Sequence, residues 1–290
     1  MVEPLALKDA AGSALPLRVE ELPDIELQLL LEALLRYGGC DYRHFNQAVL
    51  RRRIADAMRA YELRTISALQ DLLLHDERAF ASFVASMRGP GDGLFGDPSF
   101  LRSFSVNVLP LLRTYPFIRI WIPGCGTGAY AYSIAALLAQ ADVLGKSLIY
   151  ATCLNDAAVA VAKTSRCVHP GREELEARSR QAGLEVPATE YFEIGDNDAA
   201  PRDEIRGAVM IARHDPSGDG SINEFVAIFA RGLLPLYNGA IQYRLHRLFL
   251  ESLGHLGFLM LGPGEDLAGT VHQGAFRHVV ADQPIFRRMR

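Results

Sequence analysis

Gly124, Gly126 and Gly128 follow the apolar run Arg119-Ile120-Trp121-Ile122 and precede a long apolar stretch that opens at Ala129. Glycines at the mouth of a strand-to-helix turn let the backbone approach a nucleotide-like ligand, and the helix N-terminus offers free N–H groups to it. The same spacing also serves a tight turn that needs only glycine. The four cysteines, Cys40, Cys125, Cys153 and Cys167, form no CxxC pair and keep no metal-ligand spacing with histidine. Neither a zinc site nor a disulfide framework is expected, and four reduced thiols are. Arg51, Arg52, Arg53 and Arg59 cluster on one predicted helix, where they form either a cationic docking face or a solvated helix surface.

These residues must be held by something, and the chain divides into two kinds of pattern. Residues 1–23 show no period and read as a flexible leader or docking strap. From residue 24 to 88 the apolar residues recur at three and four, as in Ile25, Leu29, Leu30, Ala33 and Leu34, which predicts a small all-helical domain. Gly89-Pro90-Gly91-Asp92-Gly93 breaks any helix, so residues 89–98 read as a linker. From 99 to 290 short apolar runs alternate with helical segments: Ile118 to Ile122, Ser147 to Thr152, Phe225 to Ala230 and Gly257 to Leu261 as strands, with helices between. That alternation predicts an α/β fold with a mainly parallel sheet covered on both faces. Tyr191 to Ile194 and Ala208 to Ala212, separated by a polar stretch, read as an antiparallel hairpin inside an insertion at about 188–214.

With 290 residues, 49% hydrophobic and 22% charged, the chain has the balance of a globular protein. A formal net charge of −4 argues against a nucleic-acid polymer as partner. No stretch has the run of apolar residues needed to insert in a membrane, and no secretory signal pattern opens the sequence, so a cytoplasmic location is expected.

The ordered set of motifs resembles the bacterial chemoreceptor glutamate methyltransferases of the CheR type. Gly124-Cys125 through Tyr132-Ser133 resembles their glycine loop, and Ile149-Tyr150-Ala151-Thr152 the strand that ends at their ribose-binding acid. His214 to Tyr237, with Asn223-Glu224-Phe225 and Arg231, resembles their adenine-side loop and fourth strand. Gly257 to Pro263 with Glu265 resembles their late strand, and Ile285-Phe286-Arg287-Arg288 their last. Leu50-Arg51-Arg52-Arg53-Ile54 fits their helical domain. The resemblance implies a Rossmann-like S-adenosylmethionine methyltransferase fold, with an N-terminal all-helical domain and a small inserted antiparallel β subdomain. It also implies S-adenosylmethionine or S-adenosylhomocysteine as cofactor and a chemoreceptor or other signalling protein as partner. By the same resemblance Gly124, Gly126, Gly128, Cys153, Asn155, Asp215 and Arg231 line the cofactor pocket, and Arg51, Arg52, Arg53 and Arg59 meet the partner. His214 is expected to orient a loop rather than hold a metal.

The polar positions of that family are where this sequence departs from it. Its Thr-x-Phe-Phe-Arg-Asp-Pro run is Asp92, Gly93, Leu94, Phe95, Gly96, Asp97 and Pro98 here, so the arginine has become Gly96. Ala129, Tyr130 and Ala131 stand where glutamates and a proline follow the glycine loop, and Cys153 stands at the ribose-binding acid. Asp215 replaces an asparagine, Gly232 another, and Leu236 a tyrosine. The expectation is a signalling or binding module that retains the scaffold without the chemistry, a pseudoenzyme with no catalytic residue. The alternatives are an active protein-glutamate O-methyltransferase, in which Asp156 or Asp92 supplies a lost acid, and a sensor of another nucleotide. For the sensor, Arg202-x-x-x-Arg206 with Asp215-x-Ser217-x-x-Gly220 resembles the arginine pair and turn of cyclic-di-GMP-binding PilZ domains.

Overall fold

The computed structural model describes residues 22–87 and 93–290. Most of the leader, and Gly89 to Asp92 of the linker, lie outside the described residues.

Four helices come first: α1 (Leu22–Gly38), α2 (Gln47–Ala60), α3 (Ile66–His75) and α4 (Glu77–Ser86). Polar residues set their starts. Asn46, Thr65 and Asp76 accept the first free N–H groups of α2, α3 and α4 through their side chains. Leu27, Leu30, Leu31 and Leu34 of α1 are buried, a three-and-four period that keeps Leu30 and Leu34 of the expected face but turns Ile25 and Leu29 outward, exposed.

The second part opens with α5 (Pro98–Asn107) and the short α6 (Leu109–Leu112), then β1 (Ile118–Pro123), α7 (Ala129–Gln140), β2 (Ser147–Cys153) and α8 (Asp156–Lys163). A small segment follows with β3 (Cys167–Val168), α9 (Arg172–Gln181), β4 (Phe192–Ile194), β5 (Asp198–Pro201) and α10 (Asp203–Gly207). The chain then returns through β6 (Val209–Arg213), β7 (Phe225–Ala230), α11 (Gly239–Ser252), β8 (Leu253–Leu261), β9 (Phe276–His278) and β10 (Ile285–Arg288). Seven strands make one sheet in the order β6-β2-β1-β7-β8-β10-β9. The first five run parallel, and β10 and β9 close it antiparallel. Strand order reverses between β1 and β7, and open α/β sheets bind ligands outside the carboxyl ends of the strands at such a switch.

The strands alternate between two cores. Ile118, Ile120 and Ile122 of β1, Ala227 and Phe229 of β7, and Phe258 and Met260 of β8 pack with α5 and α7 on one face. Trp121, Phe225, Ile228, Leu259 and Leu261 point the other way and share a core with the leucines of α1 and with Phe80, Phe83 and Val84 of α4. The helical part is therefore one of the two layers that cover the sheet. Backbone bonds stitch the two together: Asn46 N–H donates to Leu236 O at 2.7 Å and Asn238 N–H to His44 O at 3.1 Å.

The expected hairpin is corrected. Phe192 to Ile194 pairs with Asp198 to Pro201, and Cys167-Val168 adds on the far side, making a three-stranded antiparallel sheet. Val209 to Arg213 is instead the parallel edge of the main sheet, in register with Ile149 to Cys153. The polar stretch after Ile194 was misleading because Asp198-Ala199-Ala200-Pro201 has little β-branched character, and its pairing comes from tertiary context. No helix among the described residues is long and apolar enough to cross a membrane.

Candidate functional site

The site sits at the carboxyl ends of β1 and β2. Gly124, Gly126 and Gly128 have φ of 65°, 57° and 82°, the left-handed region where a Cβ is penalised, so the turn needs glycine. Cys125 N–H donates to Thr152 O at 2.7 Å and Gly128 N–H to Cys125 O at 2.9 Å, which ties the turn to the end of β2. Gly128 then caps α7, whose first residues, Ala129, Tyr130 and Ala131, are all buried and carry no acid.

Four of the expected site residues meet in one cavity. Gly124, Gly126, Cys153 and Asn155 line it, and Tyr42, Phe45, Val84 and Met87 close it from the helical layer, with Leu233 and Leu236 opposite. Sequence reading missed the closing residues. Val84 and Met87 are apolar positions in and just after α4, and Tyr42 and Phe45 lie in the connection from α1 to α2, where nothing in their spacing distinguishes a residue facing a pocket from one facing a core. Within the cavity ≈ 40 Å³ is open to the centre of a water molecule. That is room for about three waters, where ligand pockets measure about 300–1,000 Å³.

Its polar groups are already engaged. Asn155 is buried, and its side-chain oxygen accepts Ala158 N–H at 2.8 Å as the cap of α8. Tyr42, beside it in the lining, is fully buried, and burial holds its phenol pKa well above the usual value. Cys153 ends β2 and is joined to Cys125 in a disulfide, with Cα atoms 5.3 Å apart. This corrects the expectation of four reduced thiols; Cys40 and Cys167, both buried, stand outside this bond. Residues 28 apart in sequence become neighbours because β1 and β2 are adjacent parallel strands ending at the same level.

The other expected residues are turned elsewhere. Asp215 accepts from the backbone N–H and hydroxyl of Ser217 at 2.9 and 2.7 Å, closing its own turn. His214 Nε2 bonds Gly220 O at 2.8 Å and holds the same loop. Arg231 donates to the Asp97 carboxylate and to Leu261 O, with its guanidinium 3.5 Å over the ring of Phe100. Asp97 is also the N-cap of α5, so this pair fixes the segment that contains Gly96. Glu265 accepts from the N–H groups of Gly262, Gly232 and Leu234 and joins the loops after β7 and β8. Burial holds its carboxyl above the ordinary value, against the backbone donors and Arg231, which pull it down. Arg202 donates to Thr189 O, and Arg206 to Asp203 and Pro201 O.

On α2, Arg51, Arg52 and Arg59 are exposed. Arg51 pairs with Asp24 and Arg59 with Asp56. Arg53 is half-buried, and burial, then Arg52, lowers its pKa. No group of three or more His, Cys, Asp or Glu that could hold a metal occurs among the described residues.

A nucleoside with a sulfonium side chain asks for acceptors at the ribose hydroxyls, an acid for the ammonium, and space. The end of β2 offers a disulfide sulfur, the start of α7 offers alanine and tyrosine, and the cavity is almost filled. In this arrangement the residues present do not fit that group.

Two family models cover the chain. Residues 93–284 match "CheR methyltransferase, SAM binding domain" and residues 25–87 match "CheR methyltransferase, all-alpha domain". The chain is 35% identical over 269 residues to the "Putative methyltransferase Cher3" of Pseudomonas putida, covering 93% of this chain and 98% of that one. It is 23% identical to a "Chemotaxis protein methyltransferase" of Listeria monocytogenes, over 87% of this chain and 95% of that one. With both layers of the fold matched in order, the chain belongs to the CheR methyltransferase family, its α/β part being that family's S-adenosylmethionine-binding domain and its helical part the all-alpha domain.

Proposed function

We propose that this chain is a pseudoenzyme of the family, a binding or regulatory module of bacterial chemotaxis-type signalling in the cytoplasm, whose partner is a chemoreceptor or another signalling protein. The observation that carries the reading is Cys153. At the β2 end, where the family's ribose-binding acid belongs, a sulfur is closed against the glycine turn inside a cavity with room for about three waters. Cofactor contacts of the charged kind are each worth about 1.5–3 kcal/mol, and losing three removes about 4–9 kcal/mol, as much as a micromolar affinity contains. Apolar residues pack both faces of the sheet, which supports a scaffold that folds without the cofactor. We assign the cradle to Gly124, Gly126, Gly128, Cys153 and Asn155, with Asp215 and Arg231 supporting its surrounding loops. The exposed Arg51, Arg52 and Arg59 of α2 offer a cationic face to an acidic partner.

Isothermal titration of the full chain with S-adenosylmethionine and with S-adenosylhomocysteine tests this. No heat of binding is expected up to about 100 μM, some hundredfold above a micromolar Kd. Micromolar binding of either compound, or labelled methyl groups appearing on a receptor fragment, would establish the competing reading of an active protein-glutamate O-methyltransferase.

A further inference from the structure

Cys125 is the middle residue of the turn between Gly124 and Gly126, and Cys153 is the last residue of β2. Their Cα atoms are 5.3 Å apart and their sulfurs are joined. That separation lies in the range a disulfide requires, about 4.4–6.8 Å. The bond adds no new neighbour to the fold, because β1 and β2 already pair in register from Ile118↔Ser147 to Pro123↔Thr152. What it fixes is local: the glycine turn against the end of β2. Cys153 also lines the cavity that Tyr42 and Phe45 close, so a displaced sulfur acts directly on the helical layer.

We infer that Cys125 and Cys153 are a site of reversible oxidation, a dithiol in the reduced chain that a peroxide converts to the disulfide, and that the bond sets the packing of the Tyr42–Phe45 segment over the cradle. One thiolate attacks a peroxide oxygen, the O–O bond breaks, and hydroxide leaves with the electron pair, giving a sulfenic acid. The second thiolate attacks that sulfur, the S–S bond forms, and hydroxide leaves. With the two thiol protons, two thiols and one hydrogen peroxide become one disulfide and two waters. Two equivalents of a small thiol such as glutathione reverse the change through a mixed disulfide and are themselves oxidised to a disulfide. Cys125 and Cys153 are as buried as Cys40, so what sets them apart is position. Cys153 lines a cavity with room for a molecule the size of peroxide, and the Cys125 sulfur lies against it to resolve the sulfenic acid, whereas burial pushes the Cys40 thiol up to about 11. The inference rests on the two sulfurs and stands whether or not the family's cofactor binds.

The full chain, reduced and freed of reductant, is treated with hydrogen peroxide, denatured without reductant, alkylated and weighed. Four labels are expected before peroxide and two after, with the Cys125 and Cys153 peptides linked. Trp121, the single tryptophan, bonds Thr152 next to Cys153 and lies in the core shared with Phe45. Its emission is expected to shift on oxidation, to return with glutathione, and not to shift in C125S or C153S. Hydrogen exchange of Tyr42 to Phe45 is expected to slow on oxidation. Four labels after peroxide, or a link between other cysteines, overturns the proposal, and the wild-type label count decides this even where a variant fails to fold. A disulfide that forms with unchanged emission and unchanged exchange overturns its effect on the helical layer.

Discussion

The indole N–H of Trp121 on β1 donates to the hydroxyl of Thr152 on β2 at 2.9 Å, and both residues are all but fully buried. The same indole stacks on Phe225 of β7, ring centroids 5.4 Å apart, and meets Phe249 of α11 edge-on at 6.0 Å. One polar bond therefore fixes the rotamer of the largest side chain between the sheet and its helical layer. Thr152→Val keeps the shape and leaves a buried indole N–H without its acceptor. A loss of about 1–3 kcal/mol is expected from urea denaturation, with an unchanged m-value. Combining it with Trp121→Phe, which removes the donor as well, is expected to cost less than the sum of the two single changes.

Most of the fold was legible because the apolar periods differ so clearly. Ile118, Ile120 and Ile122 alternate, Leu30 and Leu34 fall one helical turn apart, and glycine marks the turn between β1 and α7, although the face of α1 was misjudged at Ile25 and Leu29. The small sheet was not legible, since the last strand of its hairpin is Asp-Ala-Ala-Pro and only the packing around it makes it a strand. Gly124, Gly126, Cys153 and Asn155 line one cavity, but the residues that close it were not foreseen. Tyr42 and Phe45 lie in a helix-to-helix connection about 80 residues or more before the strands they cover, and sequence gives no register between separate layers. The disulfide was missed for the same reason: pairing depends on β1 and β2 ending level, which only the three-dimensional register supplies.

Arg231 and Asp97 join the end of β7 to the start of α5, with side chains 9% and 29% exposed. Asp97 has two jobs, as ion-pair partner and as helix cap. Asp97→Asn keeps the cap and removes the charge, and is expected to cost about 1–3 kcal/mol by leaving a mostly buried guanidinium short of its partner. Asp97→Ala should cost about 1 kcal/mol more for the lost cap. Thermal melts of Asp97→Ala, of Arg231→Ala and of the double variant give the coupling; a coupling of zero would show that Asp97 does not hold Arg231.

Glu265 provides a pH test. Its carboxyl lies above the ordinary glutamate value in the folded chain because burial outweighs its donors. The native state then holds this proton more tightly than the unfolded chain does. Its contribution is full below the unfolded pKa and is lost as pH rises through the folded one. Glu265→Gln puts an amide NH₂ against backbone N–H groups of Gly262, Gly232 or Leu234 and should cost about 1–3 kcal/mol. The difference between wild type and variant, measured by denaturation from acid to neutral pH, is expected to be largest at the acid end and to shrink as pH rises. A difference that grows with pH would mean that the donors win over burial.

Restoring the missing acids separates loss of contacts from loss of space. Cys153→Asp returns a carboxylate to the end of β2 and removes the disulfide at once, and Ala129→Glu adds an acid in the first turn of α7, where the helix dipole favours it. Both sites are 1% exposed, so each change should lower stability, by about 1–3 kcal/mol, unless a ligand meets the new charge. If contacts alone were lost, the double variant should bind S-adenosylhomocysteine, gaining about 1.5–3 kcal/mol per restored charge-assisted bond over wild type. The ligand should then raise its melting temperature where it leaves the wild-type value unchanged. If the lid of Tyr42, Phe45, Val84 and Met87 is what excludes the nucleoside, the acids will change nothing until Phe45→Ala opens the cavity as well. The order in which these substitutions become effective in thermal-shift titrations then separates contacts from space, and a wild-type chain that already binds the ligand would end the proposed reading.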